Sequence, residues 1–376
     1  MSKSEFKSLK ELMDDELQKL DISRKFTQLE AFINDGKKSA EFIRSMLNDE
    51  AFEIPEESTD LYEIAEMRAR HSAVTFLMGL VLKRFAGLFD AIPTIVDKEK
   101  DLAMQMWLMT SLYHDKAYSS EFIKRSNLDL EKQFSPYLLT DKYDNIKLKV
   151  LNEFSYKYPD SLAYTYQMIL NYDKYAISYH KNRDSKEKRD HGILGGVMMF
   201  SELSKRAMKN GQDKEMPVIK ACSLAVAQHN IFKAKPKYDN IYERFYLDIL
   251  LSSSSFRIKQ EKALLLFLSL VDTVECVKKF SKSQNSDKFL ETLTTLKSIK
   301  MTINEKEIVL ELSELSKRIK EKKDEELNKA LEDYKKSLEG LSTWTEFNIS
   351  KENDVFSIKL GKPTETLSGK VLVGAV

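Results

Sequence analysis

The run Ala263-Leu264-Leu265-Leu266-Phe267-Leu268, continued by Leu270 and Val271, is apolar on every face of a helix and carries Asp272 as its next residue. A helix apolar all round belongs in a protein core. A carboxylate taken into such a core is costly unless a cation or hydrogen bonds compensate it. This one segment therefore fixes a buried helix and asks what stands opposite its charge, an Arg or Lys in a plain salt bridge or a bound metal.

Three further stretches have helical periodicity with one histidine-bearing site each. Between Leu61 and about Phe89, Ile64, Met67, Val74, Met78 and Val81 recur at three- and four-residue steps, with His71 on their face. Pro55 and the Ser58-Thr59-Asp60 cluster precede this helix and offer N-caps. After a turn marked by Pro93 and Asp97-Lys98-Glu99-Lys100, Leu102, Met104, Trp107, Leu108 and Leu112 make a second buried helix that ends at His114-Asp115. A third begins near Pro217 and runs through Val218, Ile219, Cys222, Ala225 and Val226 to His229. Ahead of it, Asp190 caps a helix with His191 in its first turn. Gly192, Gly195 and Gly196 clear side chains from adjoining positions there, so that a neighbouring helix or a ligand can approach the backbone.

The flanks read differently. Leu9, Leu12, Leu17 and Leu20 lie at helical spacing among charges, which predicts surface helices leading into the core over 1–57. The segment from 119 to 185 mixes tyrosines with charges, and Tyr164, Tyr166, Met168, Ile169 and Leu170 suggest a helix within it. From Asn304 to Leu341 a charged helix carries Ile308, Leu310, Leu312, Leu315 and Ile319, too irregular for a coiled coil and available to the body of the protein or to a second subunit of a homo-oligomer. Trp344 to Ile349 and Val355 to Leu360 alternate apolar and polar residues as half-buried strands do. The expected fold is mainly α, with a helical extension over 1–57, a helical catalytic domain over 58–300, and a C-terminal helix with a small β element over 301–376.

Composition removes some function classes. With 60 basic and 59 acidic residues, no global field draws the chain to nucleic acid or to a membrane. Cys222 and Cys276 sit in apolar runs without a CxxC pair, which predicts reduced, buried thiols. The charged N-terminus lacks a signal-peptide core, and no later stretch offers roughly 18 uncharged apolar residues. A cytoplasmic protein without a membrane span is the expectation.

Imidazole and carboxylate side by side in His114-Asp115 suit Mn, Fe, Zn or Ni. Each candidate ligand has a plainer reading when taken alone: a core imidazole for His71, a local cap for Asp115, a helix-dipole partner for His229. Only five histidines occur in the chain, and four of them, His71, His114, His191 and His229, have surroundings suited to ligands.

The order His71, His114-Asp115, His191, His229, Asp272 resembles the HD superfamily of metal-dependent phosphohydrolases, over roughly Leu61 to Lys282. That resemblance implies an HD-type helical bundle and, from the two additional histidines, the binuclear branch. His71, His114, Asp115 and Asp272 would serve one divalent ion, His191 and His229 would complete a second, and Asp115 would bridge them. The ions implied are Mn, Fe, Ni or Mg. The Asp115-to-His191 separation is long for the family and requires an insertion. The activity implied is hydrolysis of a phosphoester of a nucleotide, cyclic nucleotide or nucleic acid by metal-activated water.

Lys116, after the dyad, and Arg189, at the end of the basic run Lys181 to Arg189, are candidates to hold phosphoryl oxygens, and His180 to protonate a leaving oxygen. A solvated loop is the simpler account of that run. The same six-ligand arrangement also resembles the inositol and phosphonate diiron oxygenases, the runner-up. A noncatalytic HD-fold interaction module is the third class.

Overall fold

Residues 6–20, 28–34, 38–39, 59–92, 102–116, 138–140, 146–148, 191–192, 195–196, 199, 203, 207, 210–211, 215–229, 256–280, 287–344 and 347–360 are described by the computed structural model of the protein. Along the chain they form β1 (Lys7–Ser8), α1 (Leu9–Lys19), α2 (Leu29–Asn34), α3 (Thr59–Leu82), α4 (Leu88–Ala91) and α5 (Leu102–Tyr113). A short antiparallel pair follows, β2 (Leu138–Thr140) with β3 (Ile146–Leu148). Next come α6 (Met216–Gln228), α7 (Phe256–Val274), α8 (Val277–Phe280), α9 (Asp287–Ser298), β4 (Lys300–Ile303) and β5 (Glu307–Glu311). The chain continues through α10 (Ser313–Lys322), α11 (Glu325–Trp344), β6 (Phe347–Glu352) and β7 (Val355–Leu360). The protein is mainly α with a small antiparallel sheet.

The four helices that carry His71, the dyad, His229 and Asp272 close on one another. α3 packs on α5, α5 on α6, α6 on α7, and α7 back on α3. Their apolar faces leave no alternative, since Val74, Met78, Met106, Ile219, Leu264 and Val271 are all buried. Trp107 ties three of them together. Its Nε1 donates to Phe76 O at 3.1 Å, and its ring meets Phe267 edge-on at 4.8 Å. The indole lies over Gly79 of α3, at a place where any Cβ would collide with it. Both cysteines are buried free thiols, and burial pushes Cys222 up to about 12. Among the described residues no helix is long and apolar enough to cross a membrane.

α1 begins at a capping box, in which Glu11 N donates to Ser8 Oγ at 3.2 Å and Ser8 N to Glu11 Oε2 at 2.8 Å. β1, just ahead of it, pairs with β4, so the N-terminal segment is stitched to the sheet. The sheet has the order β1-β4-β5-β7-β6, antiparallel throughout. β6 and β7 are the strands expected from the alternating C-terminal segment, and Phe347, Phe356 and Ile358 face the core.

The continuous helix expected from Asn304 to Leu341 is corrected. Ile308 and Leu310 lie in β5, paired to Ile358 and Phe356 of β7, and helix resumes only at Ser313. Apolar residues at every second position line one face of a strand, whereas on a helix they would scatter around it. α11 packs on α7 and β6 of its own chain, and Tyr334 Oη donates to Val274 O at 2.7 Å. The helix expected near Tyr164 lies outside the described residues.

Candidate metal centre

Each donor is placed by the end or the buried face of a helix. His71 projects from the core face of α3 and is 1% exposed. His114 prolongs α5 by one turn, its N–H donating to Thr110 O at 3.0 Å, and Asp115 follows directly. His229 is the C-cap residue of α6. Asp272 stands in the last turn of α7. His191 is buried and helical, and its helix reaches the others because Gly195 and Gly196 allow it. A Cβ on Gly195 would meet Tyr113 O at 3.0 Å, and one on Gly196 would meet Ser223 O at 2.6 Å. The close approach expected of these glycines is therefore the way the His191 segment seats against α5 and α6.

The donors converge. His71 Nε2 lies 3.0 Å from Asp272 Oδ1 and 3.5 Å from Asp115 Oδ2. His114 Nε2 is 3.2 Å from His71 Nε2 and 3.8 Å from Asp272 Oδ1. On the other side, Asp115 Oδ1 lies 2.9 Å from His191 Nε2 and 3.9 Å from His229 Nε2. Two triads result, His71-His114-Asp115 and Asp115-His191-His229, each with its ligand atoms within 4.8 Å of one another. Asp115 belongs to both. The rings follow in the order His71, His114, His229, His191, with centroids 5.1, 5.6 and 5.3 Å apart.

The chemistry of this donor set fits divalent cations. Nδ1 of His114 lies 2.7 Å from Ser111 O, and Nδ1 of His229 lies 2.6 Å from Val226 O. A carbonyl can only accept, so both Nδ1 atoms carry the proton and a neutral ring presents its Nε2 lone pair to the centre. His71 Nδ1 is directed to Glu275 Oε2 at 2.6 Å in the same manner. Helices α5, α6 and α7 all bring their C-terminal ends here, and the partial negative charge of those ends favours cations. Buried His/Asp groups of this kind can hold metal ions.

Electrostatics separates two neighbouring rings. Burial, with His71 nearby, lowers His114 to about 3 against the pull of Asp115 and Asp272, so its ring is neutral near pH 7. Burial and Lys278 oppose protonation of His71, yet Glu275 and Asp272 outweigh them and raise its pKa. A cation at His71 Nε2 must then expel a proton, while one at His114 need not. Apparent metal affinity is expected to fall about tenfold per pH unit below the His71 pKa and to level off above it, because one proton competes. Calorimetry in two buffers of different ionisation enthalpy on the acid side of neutrality should report net proton release on binding at the His71 side.

Models of protein families, curated proteins and solved structures give no match to this chain.

Of the remaining sequence candidates, Lys116 places its ammonium 4.6 Å from the Tyr113 ring centroid. His180 and Arg189 lie outside the described residues. Two residues at the centre went unnoticed in the sequence. Glu275 is fully buried and holds His71; Lys278 Nζ lies 3.2 Å from Asp115 Oδ2. Both follow Asp272 at three-residue steps. Replacing Glu275 by Gln keeps the shape and removes the charge that fixes the His71 ring. About a 10-fold loss of metal affinity at the His71 side is expected, with the His191 side unchanged, as read by competition with a chromogenic chelator.

Proposed function

We propose that this protein is a binuclear, metal-dependent phosphohydrolase of the HD type, cleaving a phosphoester of a nucleotide, cyclic nucleotide or nucleic acid. The observation that carries the reading is the sharing of Asp115 between two histidine triads. Together with Asp272 beside His71, the sharing gives the ligand order of the HD resemblance a common location.

In the proposed roles His71, His114, Asp115 and Asp272 hold one divalent ion, and Asp115, His191 and His229 hold the other. When bound, two such ions would supply Lewis acidity, activating water for attack and neutralising charge on a phosphoryl group. Glu275, Ser111 O and Val226 O keep three imidazoles in the tautomer that leaves Nε2 available. Near-complete burial of Asp115 and His114 keeps bulk water from screening these charges. No protein nucleophile is needed. Cys222, the thiol carried on α6, stays protonated at neutral pH.

The test is metal analysis of protein purified without chelators, then a screen of the manganese-loaded chain against nucleotides, cyclic nucleotides and short oligonucleotides. Metal-dependent release of phosphate or a cleaved ester supports the reading. Two bound ions without hydrolysis, combined with substrate-dependent oxygen uptake by the iron-loaded protein, would replace it with an oxygenase. Absence of metal binding would leave an interaction module.

A further inference from the structure

The geometry points to Lys278 as the residue that seats a nonbridging phosphoryl oxygen beside Asp115, an inference that rests on the phosphohydrolase reading above. Lys278 Nζ is 3.2 Å from Asp115 Oδ2, the oxygen that also lies 3.5 Å from His71 Nε2. This ammonium therefore stands at the shared ligand of the two triads. An ammonium has three donors in a compact cation, so it can keep one on a carboxylate and give another to an incoming anion.

Exposure gives it a direction. The Asp115 side chain is wholly buried and that of Asp272 is 7% exposed, whereas Lys278 is 26% exposed. The Lys278 side chain thus runs between the surface and the ligand cluster, with its ammonium at Asp115. Its backbone is fixed by the same carboxylate that fixes His71. Glu275 Oε1 accepts from Val277 N at 2.5 Å, and Glu275 Oε2 accepts from Lys278 N at 3.4 Å. Glu275 therefore couples the orientation of a metal ligand to the position of Lys278.

Charge makes the role anion binding. Asp115 pairs directly with this ammonium, and Asp272 and Glu275 stand against His71 beside it, so three carboxylates gather at the ligand cluster. Two divalent ions would reverse that balance to net positive and draw the Asp115 charge towards themselves, which loosens its hold on Lys278. A phosphoryl oxygen is then the natural acceptor for the released N–H, and a charge-assisted bond results. The ligand class is a phosphate ester or free phosphate.

Orthophosphate binding to the manganese-loaded full chain tests this, measured by calorimetry for the wild type, Lys278→Met, Lys278→Gln and Lys278→Arg. Either neutral variant should bind orthophosphate about 10- to 100-fold more weakly, while Lys278→Arg stays within a few-fold, and manganese should bind both neutral variants as tightly as the wild type or more so. With a substrate in hand, the loss in the neutral variants should fall on KM more than on kcat. Wild-type phosphate affinity in a folded, metal-loaded Lys278→Gln would overturn the inference and leave Lys278 as a pin between α8 and the dyad. A wild-type protein that holds two ions but no phosphate would also overturn it, with the metal reading intact. Failure of the wild type to bind metal would remove both.

Discussion

On the proposed binuclear phosphohydrolase reading, Asp115→Asn is expected to lower hydrolysis by on the order of 10³-fold or more and to reduce metal content below two ions per chain. The magnitude follows from the position of the residue. A single carboxylate lies 3.5 Å from His71 Nε2 through one oxygen and 2.9 Å from His191 Nε2 through the other. Removing its charge would weaken both proposed cations at once, and a loss of several kcal/mol of transition-state stabilisation at about 1.4 kcal/mol per decade would correspond to that fall. Asn preserves volume, so the bundle should survive, which circular dichroism can verify. His229→Ala is the contrast, since that ring reaches only the triad with His191. It should cost one ion and leave the His71 side loaded. An Asp115→Asn protein that keeps two ions at wild-type affinity would show that the carboxylate is not the shared ligand.

The helical frame was legible because burial writes itself into helices locally. α3, α5, α6 and α7 each carry apolar residues at helical spacing, and their donors sit on the buried face or at the end of that pattern. Asp272 was informative for the same reason, a charge where only apolar residues belong. The sheet was legible only in part. β6 and β7 alternate cleanly, but β5 is five residues long and is followed at once by the charged α10, so its alternation merges into what reads as one helix. β1 has two residues, and its pairing with β4 joins positions nearly three hundred residues apart, which no local period can encode.

At the site, nearness in sequence and nearness in space are different things. Lys116 follows Asp115 directly, but consecutive side chains around a helical turn diverge by about 100°. Its ammonium rests over Tyr113 as Asp115 enters the centre. Lys278 reaches that same carboxylate from 163 residues away. Glu275 was hidden for a related reason. Its partner, His71, is 204 residues distant, and a buried glutamate one turn beyond Asp272 becomes meaningful only when α3 lies against α7.

Gly196→Val should separate the two halves of the centre physically. Ser223 O, Ala227 Cβ and Ala227 Cα stand 2.6, 2.7 and 3.0 Å from the place a Cβ would occupy, and two of these three atoms are backbone. Backbone within a packed helix cannot turn aside as a flexible side chain can, so the segment bearing His191 must withdraw from α6. Overpacking of this kind costs about 1–3 kcal/mol, visible as a lower Tm. The functional consequence is larger than the stability loss, because His191 must stay near Asp115 to complete its triad and His229 is carried at the end of the helix being pushed away. A cation on that side should bind more than about 100-fold more weakly, whereas one held by His71, His114 and Asp272 should be retained, since none of those donors is on the displaced pair. Gly340→Ala in α11 supplies the control: a Cβ there meets nothing within 4 Å, so the substitution should stabilise by about 0.5–1 kcal/mol through helix propensity and leave both cations in place. A folded Gly196→Val protein with two ions at full affinity would mean that the His191 helix can retreat without taking its ligand along, and the glycines would then be explained by packing alone.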